Sequence, residues 1–163
     1  MKFRADARLR PMRVFALTLL LMLAQGCNTG IVVHDQNRAA ELLVDFLSSL
    51  KTAEGIELAY AWTDDRYKQE ISAAEFARIV ARIRNLNQGA EIRLTGYETL
   101  GPVEILNIYA NSNAGDGKLY FRFVLSGSKS NDYYLLNLDV SDSKFIQEGI
   151  YQVYPKSIPV DGV

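Results

Sequence analysis

The spacing of apolar residues changes at Gly89, and this change restricts the fold more than any other feature of the chain. Before Gly89, apolar residues recur every three or four positions, which is typical of an amphipathic helix. After Gly89 they recur every second position, as in strands with one buried face. Helical segments followed by a run of strands predict an α+β fold.

Three helices are predicted before Gly89. The first starts after Asp35 or Asn37, either of which can cap it, and the second covers 53–62 with Thr52 as its cap. The third begins at the capping box Ser72-Ala73-Ala74-Glu75 and ends at Gly89. The apolar stripe of the first helix consists of Ala39, Leu42, Leu43, Phe46, Leu47 and Leu50.

Five strands are predicted after Gly89, separated by short segments that are rich in glycine, serine, asparagine and aspartate. Short connections imply antiparallel neighbours, because a parallel return needs about a dozen residues or more. The pattern therefore predicts a five-strand meander with the helices covering one face. The predicted strands are 91–100, 103–111, 118–126, 133–140 and 144–154.

The first 26 residues have the layout of a secretory signal peptide. Five basic residues precede Val14–Ala24, an uncharged apolar run of eleven residues. A helix that crosses a bilayer needs about 20 apolar residues, so this run is too short to remain as a span. We therefore predict that residues 1–26 are a leader that is removed from the mature chain.

The end of the leader, Leu23-Ala24-Gln25-Gly26-Cys27, resembles the lipobox of bacterial lipoproteins. The resemblance implies that the thiol of Cys27 receives a diacylglyceryl group and that the new amino terminus is acylated. Two or more acyl chains anchor a protein stably, since each buried CH₂ contributes about 0.8 kcal/mol. The alternative is an ordinary signal peptide that is cut nearby and leaves a free cysteine.

The lipobox also implies a location in the bacterial cell envelope. Residues 27–34 then form the lipidated terminus and a short tether to the membrane. In Gram-negative lipoproteins an aspartate after the cysteine favours the inner membrane, whereas Asn28 stands here. The resemblance therefore implies the outer membrane, with the domain facing the periplasm.

The composition of the mature chain excludes several kinds of partner. Removing the leader leaves 13 basic and 18 acidic residues, a net charge of −5. Such a chain lacks the basic stripe that nucleic-acid binding requires. The one cysteine is assigned to the lipid, so neither a disulfide nor a cysteine metal site is expected. We predict no metal and no cofactor.

The stretch FLSSLKTAEGIELAYAWTDDRYKQEISAAEF, followed by long hairpins, resembles the nuclear transport factor 2-like superfamily. The resemblance covers residues 36–154 and is strongest to small lipoproteins of unknown function. It implies a cystatin-like cone, in which a strongly bent antiparallel sheet wraps around three N-terminal helices. The open end of such a cone holds a ligand, a catalytic pair or only side chains. We expect the domain to cover 35–156, with a flexible tail at 157–163.

Aromatic residues are the candidates for a ligand pocket. Trp62, Phe76, Phe121 and Phe123 are predicted to line it, although the same residues suit a hydrophobic core equally well. Seven tyrosines follow Gly89, and we expect most of them to pack while a minority surrounds a binding surface.

No catalytic residue is predicted. The only histidine, His34, falls on the tether and is expected to be a solvated linker residue. Adjacent acids such as Asp64 and Asp65 more often cap or turn the chain than transfer protons. An enzyme would require an acid of the strands, such as Glu91, Glu98 or Glu104, to point inward with a raised pKa.

Three functional hypotheses follow from the sequence. The first is a lipid-anchored, non-catalytic binding or interaction module that takes a small apolar ligand or a partner protein of the envelope. The second is a pilot-type or structural lipoprotein without a pocket. The third is a small hydrolase or isomerase that uses a carboxylate inside the cone.

Overall fold

The computed structural model describes residues 32–115 and 117–161, and this part of the chain has an α+β fold. The predicted signal peptide and Cys27 lie outside the described residues. Four helices are described: α1 (Gln36–Ser49), α2 (Ala53–Ala61), α3 (Asp65–Glu70) and α4 (Ala73–Asn87). Five strands are described: β1 (Ile92–Thr99), β2 (Ile105–Ala114), β3 (Gly117–Ser128), β4 (Asn131–Ser141) and β5 (Ile150–Val160).

The predicted helix caps are confirmed. The side chain of Asp35 accepts a hydrogen bond from the Arg38 amide at 3.1 Å, and Thr52 accepts one from the Gly55 amide at 3.0 Å. Ser72 accepts from the amide of Glu75, as the first half of a capping box requires. At the other end of α4, the chain turns into the left-handed region, and Gly89 has a φ of 73°.

The prediction of three helices was wrong by one. The six-residue helix α3 forms within the segment that we predicted as a polar connector. Asp64 caps it by accepting a hydrogen bond from the Arg66 amide at 2.8 Å. A helix of this length is too short for an apolar stripe to repeat, so hydrophobic spacing gives no signal for it.

The sheet is antiparallel and open, with the strand order β4-β3-β2-β1-β5. The predicted meander is therefore wrong at its last step, because β5 pairs with β1 and not with β4. Residues 142–149, which we call the strap, lead from β4 at one edge of the sheet to β5 at the other. The strap occupies much of the predicted strand 144–154, and β5 instead continues to Val160, which is buried. Residues 157–160 thus belong to the sheet and not to the predicted tail.

One face of the sheet, which we call the inner face, packs against the helices and forms the hydrophobic core. Phe46 of α1 contacts aromatic residues of the other helical segments, with its ring centroid 5.3 Å from that of Trp62 and 6.3 Å from that of Phe76. Burying one such aromatic or branched side chain contributes about 1.5–3 kcal/mol. The fully buried strand residues of this face include Ile92, Leu94, Leu106, Ile108, Phe123, Leu125, Tyr133 and Leu135.

A buried asparagine joins the end of α4 to the sheet. Asn87 has no exposed surface. Its Nδ2 donates to the carbonyl of Ala90 at 2.6 Å, and its Oδ1 accepts from the hydroxyl of Ser112 on β2 at 2.5 Å. Because both ends of the amide are engaged, the residue fixes the turn that leads from the helices into β1.

Replacing Asn87 with Ala should lower the free energy of unfolding by about 2 kcal/mol, because it leaves the buried Ser112 hydroxyl and the half-buried Ala90 carbonyl without this partner. Urea denaturation followed by circular dichroism measures the change. Asn85→Ala is the matched control, since Asn85 is exposed on the same helix. Equal stabilities of the two variants would show that the buried amide does not hold this junction.

Candidate binding site on the outer face of the sheet

The face of the sheet opposite the helices, which we call the outer face, carries polar and aromatic side chains. Directly opposed residues of antiparallel strands project to the same face. The pairing register places Glu98 opposite Asn107 and also opposite Tyr151, while Tyr109 lies opposite Arg122. These side chains therefore project together on the outer face, across the four adjacent strands β3, β2, β1 and β5.

Glu98 is a carboxylate buried under the strap, with 1% of its surface exposed. Oε2 accepts hydrogen bonds from the Tyr109 hydroxyl and from Asn107 Nδ2, the latter at 3.0 Å. Oε1 accepts from the backbone amides of Glu148 and Gly149. Four donors therefore surround this carboxylate, and two of them belong to the strap.

The hydrogen bonds decide the charge state of Glu98. Burial on its own raises the pKa of a carboxyl group, but the bonds from Tyr109, Gly149, Asn107 and Glu148 together bring the pKa of Glu98 below its ordinary value. Burial, and then the bond to Glu98, raises the pKa of Tyr109 far above the usual range. At neutral pH the pair is therefore a carboxylate that accepts from a protonated phenol.

The strap has a second attachment at Phe145. The guanidinium of Arg122 lies 5.1 Å from the centre of the Phe145 ring, and the Tyr109 ring lies 6.4 Å from it. Arg122 is held in turn by Asp139 of β4, with Nη2 at 2.7 Å and Nε at 2.9 Å from Oδ2. Both ends of the strap segment 145–149 are thus fixed to the outer face.

A cavity of about 340 Å³ opens beside the strap on the outer face. Tyr109, Tyr120, Phe145 and Tyr151 give it aromatic walls. Its volume falls within the roughly 300–1,000 Å³ that is usual for small-molecule sites. The other lining residues are Thr95, Ala110, Asn111, Lys118, Phe121, Lys144 and Gln147.

Gly96 allows Tyr151 to approach the sheet closely. A Cβ atom at this position would lie 2.5 Å from the hydroxyl oxygen of Tyr151 and 2.5 Å from the carbonyl oxygen of Gln152. No real Cβ makes contacts that short, so a glycine is required where the ring crosses β1. The register between β1 and its neighbours also shifts between Leu94 and Gly96, which places Thr95 at the cavity.

The residues that the sequence analysis proposed for a pocket lie mainly in the core. Phe76, Phe121 and Phe123 are buried core residues, and Trp62 is partly buried against them. Of the four, Phe121 also borders the cavity on the outer face. Trp62, Phe76 and Phe123 pack in the core on the inner face, and this packing explains their burial without a ligand.

His34, which was predicted to be a solvated linker residue, is half-exposed, but it contacts the domain and is not part of a free linker. Its Nε2 lies 3.2 Å from the carbonyl oxygen of Val103, and its ring is 6.2 Å from the ring of Tyr133. The neighbouring Val33 carbonyl accepts from the Lys129 amide at 2.8 Å. The segment before α1 is therefore attached to the loops at one end of the sheet.

The acids near α3 are structural, as predicted. Hydrogen bonds from Arg66, together with one from Ser126, hold the pKa of Asp64 well below its usual range despite partial burial. The Asp64 amide also donates to the Leu135 carbonyl at 2.7 Å, so this segment covers part of the β4 edge. Asp65 and Glu70 are exposed.

Most of the outer face was not predicted from the sequence. Glu98 was considered only as a condition for catalysis, and Asn111, Lys118 and Lys144 were not connected with a site. The tyrosines did carry a signal: Tyr109, Tyr120 and Tyr151 border the cavity, whereas Tyr133 and Tyr154 are buried in the core. Assigning them required the strand register and the position of β5.

The comparisons with known proteins leave the fold and the site to be interpreted from the structure itself. No protein-family model matches the chain, and no curated protein or solved structure matches it. Within 32–115 and 117–161, no helix is long and apolar enough to cross a membrane. The same residues contain no cluster of three or more histidine, cysteine or acidic side chains that could hold a metal ion.

Glu98→Gln should lower the free energy of unfolding at pH 7 by about 2 kcal/mol, because the amide nitrogen of the introduced glutamine would face donors that need an acceptor. It should also change the pH dependence. A lowered folded-state pKa stabilises the fold above the ordinary glutamate pKa of 4.5, and this stability is lost as the pH falls through the folded value. The variant should lack that part of the acid-induced loss, as measured by urea denaturation between neutral and acidic pH.

Glu91→Gln removes the same charge at an exposed position near the start of β1, where Glu91 pairs with Arg93. Exposed ion pairs contribute about 0–1 kcal/mol, so this control should stay close to the wild type. If both variants followed the same stability curve against pH, the buried carboxylate would not be the group that fastens the strap.

Proposed function

We propose that this protein is a lipid-anchored, non-catalytic binding module of the bacterial cell envelope, with a small ligand held in the cavity beside the strap. The observation that carries the proposal is the cavity itself, which combines four aromatic side chains with amide and ammonium groups. Sites of this kind typically pair apolar walls with a few polar groups that orient the ligand. The sequence led us to expect a small apolar ligand, whereas this lining suits a ligand with both apolar and polar parts.

The anchor in this proposal is Cys27, and the membrane is the outer membrane with the domain on its periplasmic side. The basic leader, the short apolar run and the lipobox support it. Since Val33 is attached to the domain, residues 27–32 would form the free part of the tether. Six residues span at most about 20 Å, so the domain would remain close to the membrane surface.

The proposal includes the cystatin-like cone of the nuclear transport factor 2-like superfamily as the finer description of the fold. Support comes from the resemblance over residues 36–154 and from helices packed on one face of a five-strand antiparallel sheet. In this proposal the ligand occupies the outer face of the sheet and the helices fill the inner face.

The state of the strand acids favours binding over catalysis. A general acid or base works best with a pKa near the operating pH, which for a carboxyl group means a raised value. Glu98 is buried, but its pKa is lowered and all four of its donors are structural. Glu91 and Glu104 are exposed. The hydrolase or isomerase hypothesis therefore lacks a suitable acid among the three that were named for it.

A structural or pilot-type lipoprotein is the second candidate. It is favoured by three exposed apolar residues on the strap and the edge strand β5: Ile146, Ile150 and Val153, with 83%, 65% and 67% of their surfaces exposed. Exposed apolar residues at a sheet edge suit contact with another protein. In this version the strap side of the molecule would meet an envelope protein.

The two candidate functions predict different molecules bound to the lipidated protein when it is purified. Denaturing the purified wild type should release a small molecule that mass spectrometry detects. Tyr151→Ala should reduce its amount by about tenfold, because the variant removes one aromatic wall of the cavity. Tyr134→Ala, at an exposed position on β4, is the control and should retain it. A stoichiometric protein partner and no small molecule would favour the structural candidate instead.

Cys27→Ser tests the anchor separately. The wild type should partition with membranes and yield an N-terminal peptide that carries acyl chains. The variant should give an uncleaved precursor or a product in the soluble fraction, because serine offers no thiol for the diacylglyceryl group. Identical processing and membrane partition of the two proteins would refute lipidation.

A further inference from the structure

We propose that the cavity beside the strap selects small organic anions with a planar aromatic body, such as aryl carboxylates. This inference rests on the proposed binding function and specifies its ligand class. The charge of the lining, the arrangement of the aromatic rings and the polar groups at the rim all favour such a ligand.

The charged groups of the lining are both cationic. They are Lys118 at the start of β3 and Lys144 on the strap, and the described lining contains no acid. Among the described residues, neither ammonium group forms an ion pair. An ammonium group that faces a partly enclosed cavity without a carboxylate attracts an anionic ligand.

Two buried or half-buried acids of the outer face, Glu98 and Asp139, are already committed to other partners. Glu98 has both oxygens occupied by Tyr109, Asn107 and the strap amides. Asp139 accepts two hydrogen bonds from Arg122. Neither carboxylate is therefore available to neutralise the two lysines. The strap acids Asp142 and Glu148 are exposed and do not line the cavity, so the described lining itself carries only positive charge.

The aromatic walls meet at angles that suit a flat ligand. The Tyr151 ring stands at 71° to Tyr109 with 5.6 Å between centroids, and Phe145 stands at 45° to Tyr109 with 6.4 Å between centroids. Aromatic groups favour offset or edge-to-face neighbours at such distances. A planar ring can therefore meet one wall edge-on and another face-on. Lys118, 5.7 Å from the centre of the Tyr120 ring, would hold the anionic substituent at the rim.

The neutral polar groups of the lining complete the site. The amides of Asn111 and Gln147 can donate to a carboxylate, whereas the Thr95 hydroxyl donates to the Tyr109 carbonyl at 3.3 Å and can only accept from a ring substituent. An aromatic cation would also be drawn to the aromatic faces. The two lysines oppose a cation, however, so the lining as a whole favours the anion.

Matched naphthalene probes test the charge and the planarity separately. Isothermal titration calorimetry should show that naphthoate binds about tenfold more tightly than the neutral naphthamide, the factor expected for one charge-assisted hydrogen bond. Decahydronaphthalene carboxylate, which keeps the charge but loses the flat ring, should also bind more weakly. Rising salt should weaken naphthoate binding and leave naphthamide binding nearly unchanged.

The double variant Lys118→Gln/Lys144→Gln should bind naphthoate and naphthamide equally well. The double variant Lys129→Gln/Lys156→Gln removes the same charge at exposed positions outside the cavity and should keep the tenfold preference. Amide chemical shifts at Thr95, Asn111 and Gln147 should report binding in the cavity.

The possible failures distinguish this inference from the proposed function. Equal affinity of the wild type for naphthoate and naphthamide, or an unchanged preference in the Lys118→Gln/Lys144→Gln variant, would overturn the anion selectivity alone. Equal binding of the flat and the saturated carboxylates would overturn the aromatic requirement. If no probe shifted the cavity amides, the small-molecule function of the cavity would fall together with the inference.

Discussion

The attachment of the strap and the entry into β5 depend on one buried carboxylate, that of Glu98. Moving a carboxylate out of water costs several kcal/mol, and here four hydrogen bonds offset that cost. Two of the donors are backbone amides at the end of the strap, immediately before β5 begins. The carboxylate therefore fixes the point at which the chain re-enters the sheet, and it places β5 beside β1.

The candidate site follows from the same attachment. The strap supplies Lys144, Phe145 and Gln147 to the cavity, and β5 supplies Tyr151. If β5 followed β4 directly, none of these residues would reach β1 or β2. Phe145, held between Arg122 and Tyr109, keeps the middle of the strap against the outer face. The stability of the strap and the ability of the cavity to bind a ligand are thus coupled in this protein.

The parts of the fold that sequence reasoning predicted are those that depend on neighbouring residues. The caps at Asp35, Thr52 and Ser72 and four of the five strands are set by local spacing and turn chemistry. The course of β5 depends on Glu98, 50 residues before Glu148 in the chain, so no local pattern reveals it. The site was missed for the same reason. Its residues come together only through the register, including the irregularity near Thr95.

The tyrosines show why residue type alone could not separate the core from the site. Tyr133 and Tyr154 face the helices, and their hydroxyls are tied to the start of α1, where Tyr133 accepts from the Asp35 amide and Tyr154 donates to the Gln36 carbonyl. Tyr120 and Tyr151 border the cavity, and their hydroxyls have no hydrogen bond to a described residue. A hydroxyl that already has a protein partner stabilises the fold, whereas one at a cavity without a partner can serve a ligand. For these four tyrosines the partner of the hydroxyl, which only the tertiary structure reveals, separates the two roles. Tyr109 combines them, because it donates to Glu98 and also borders the cavity.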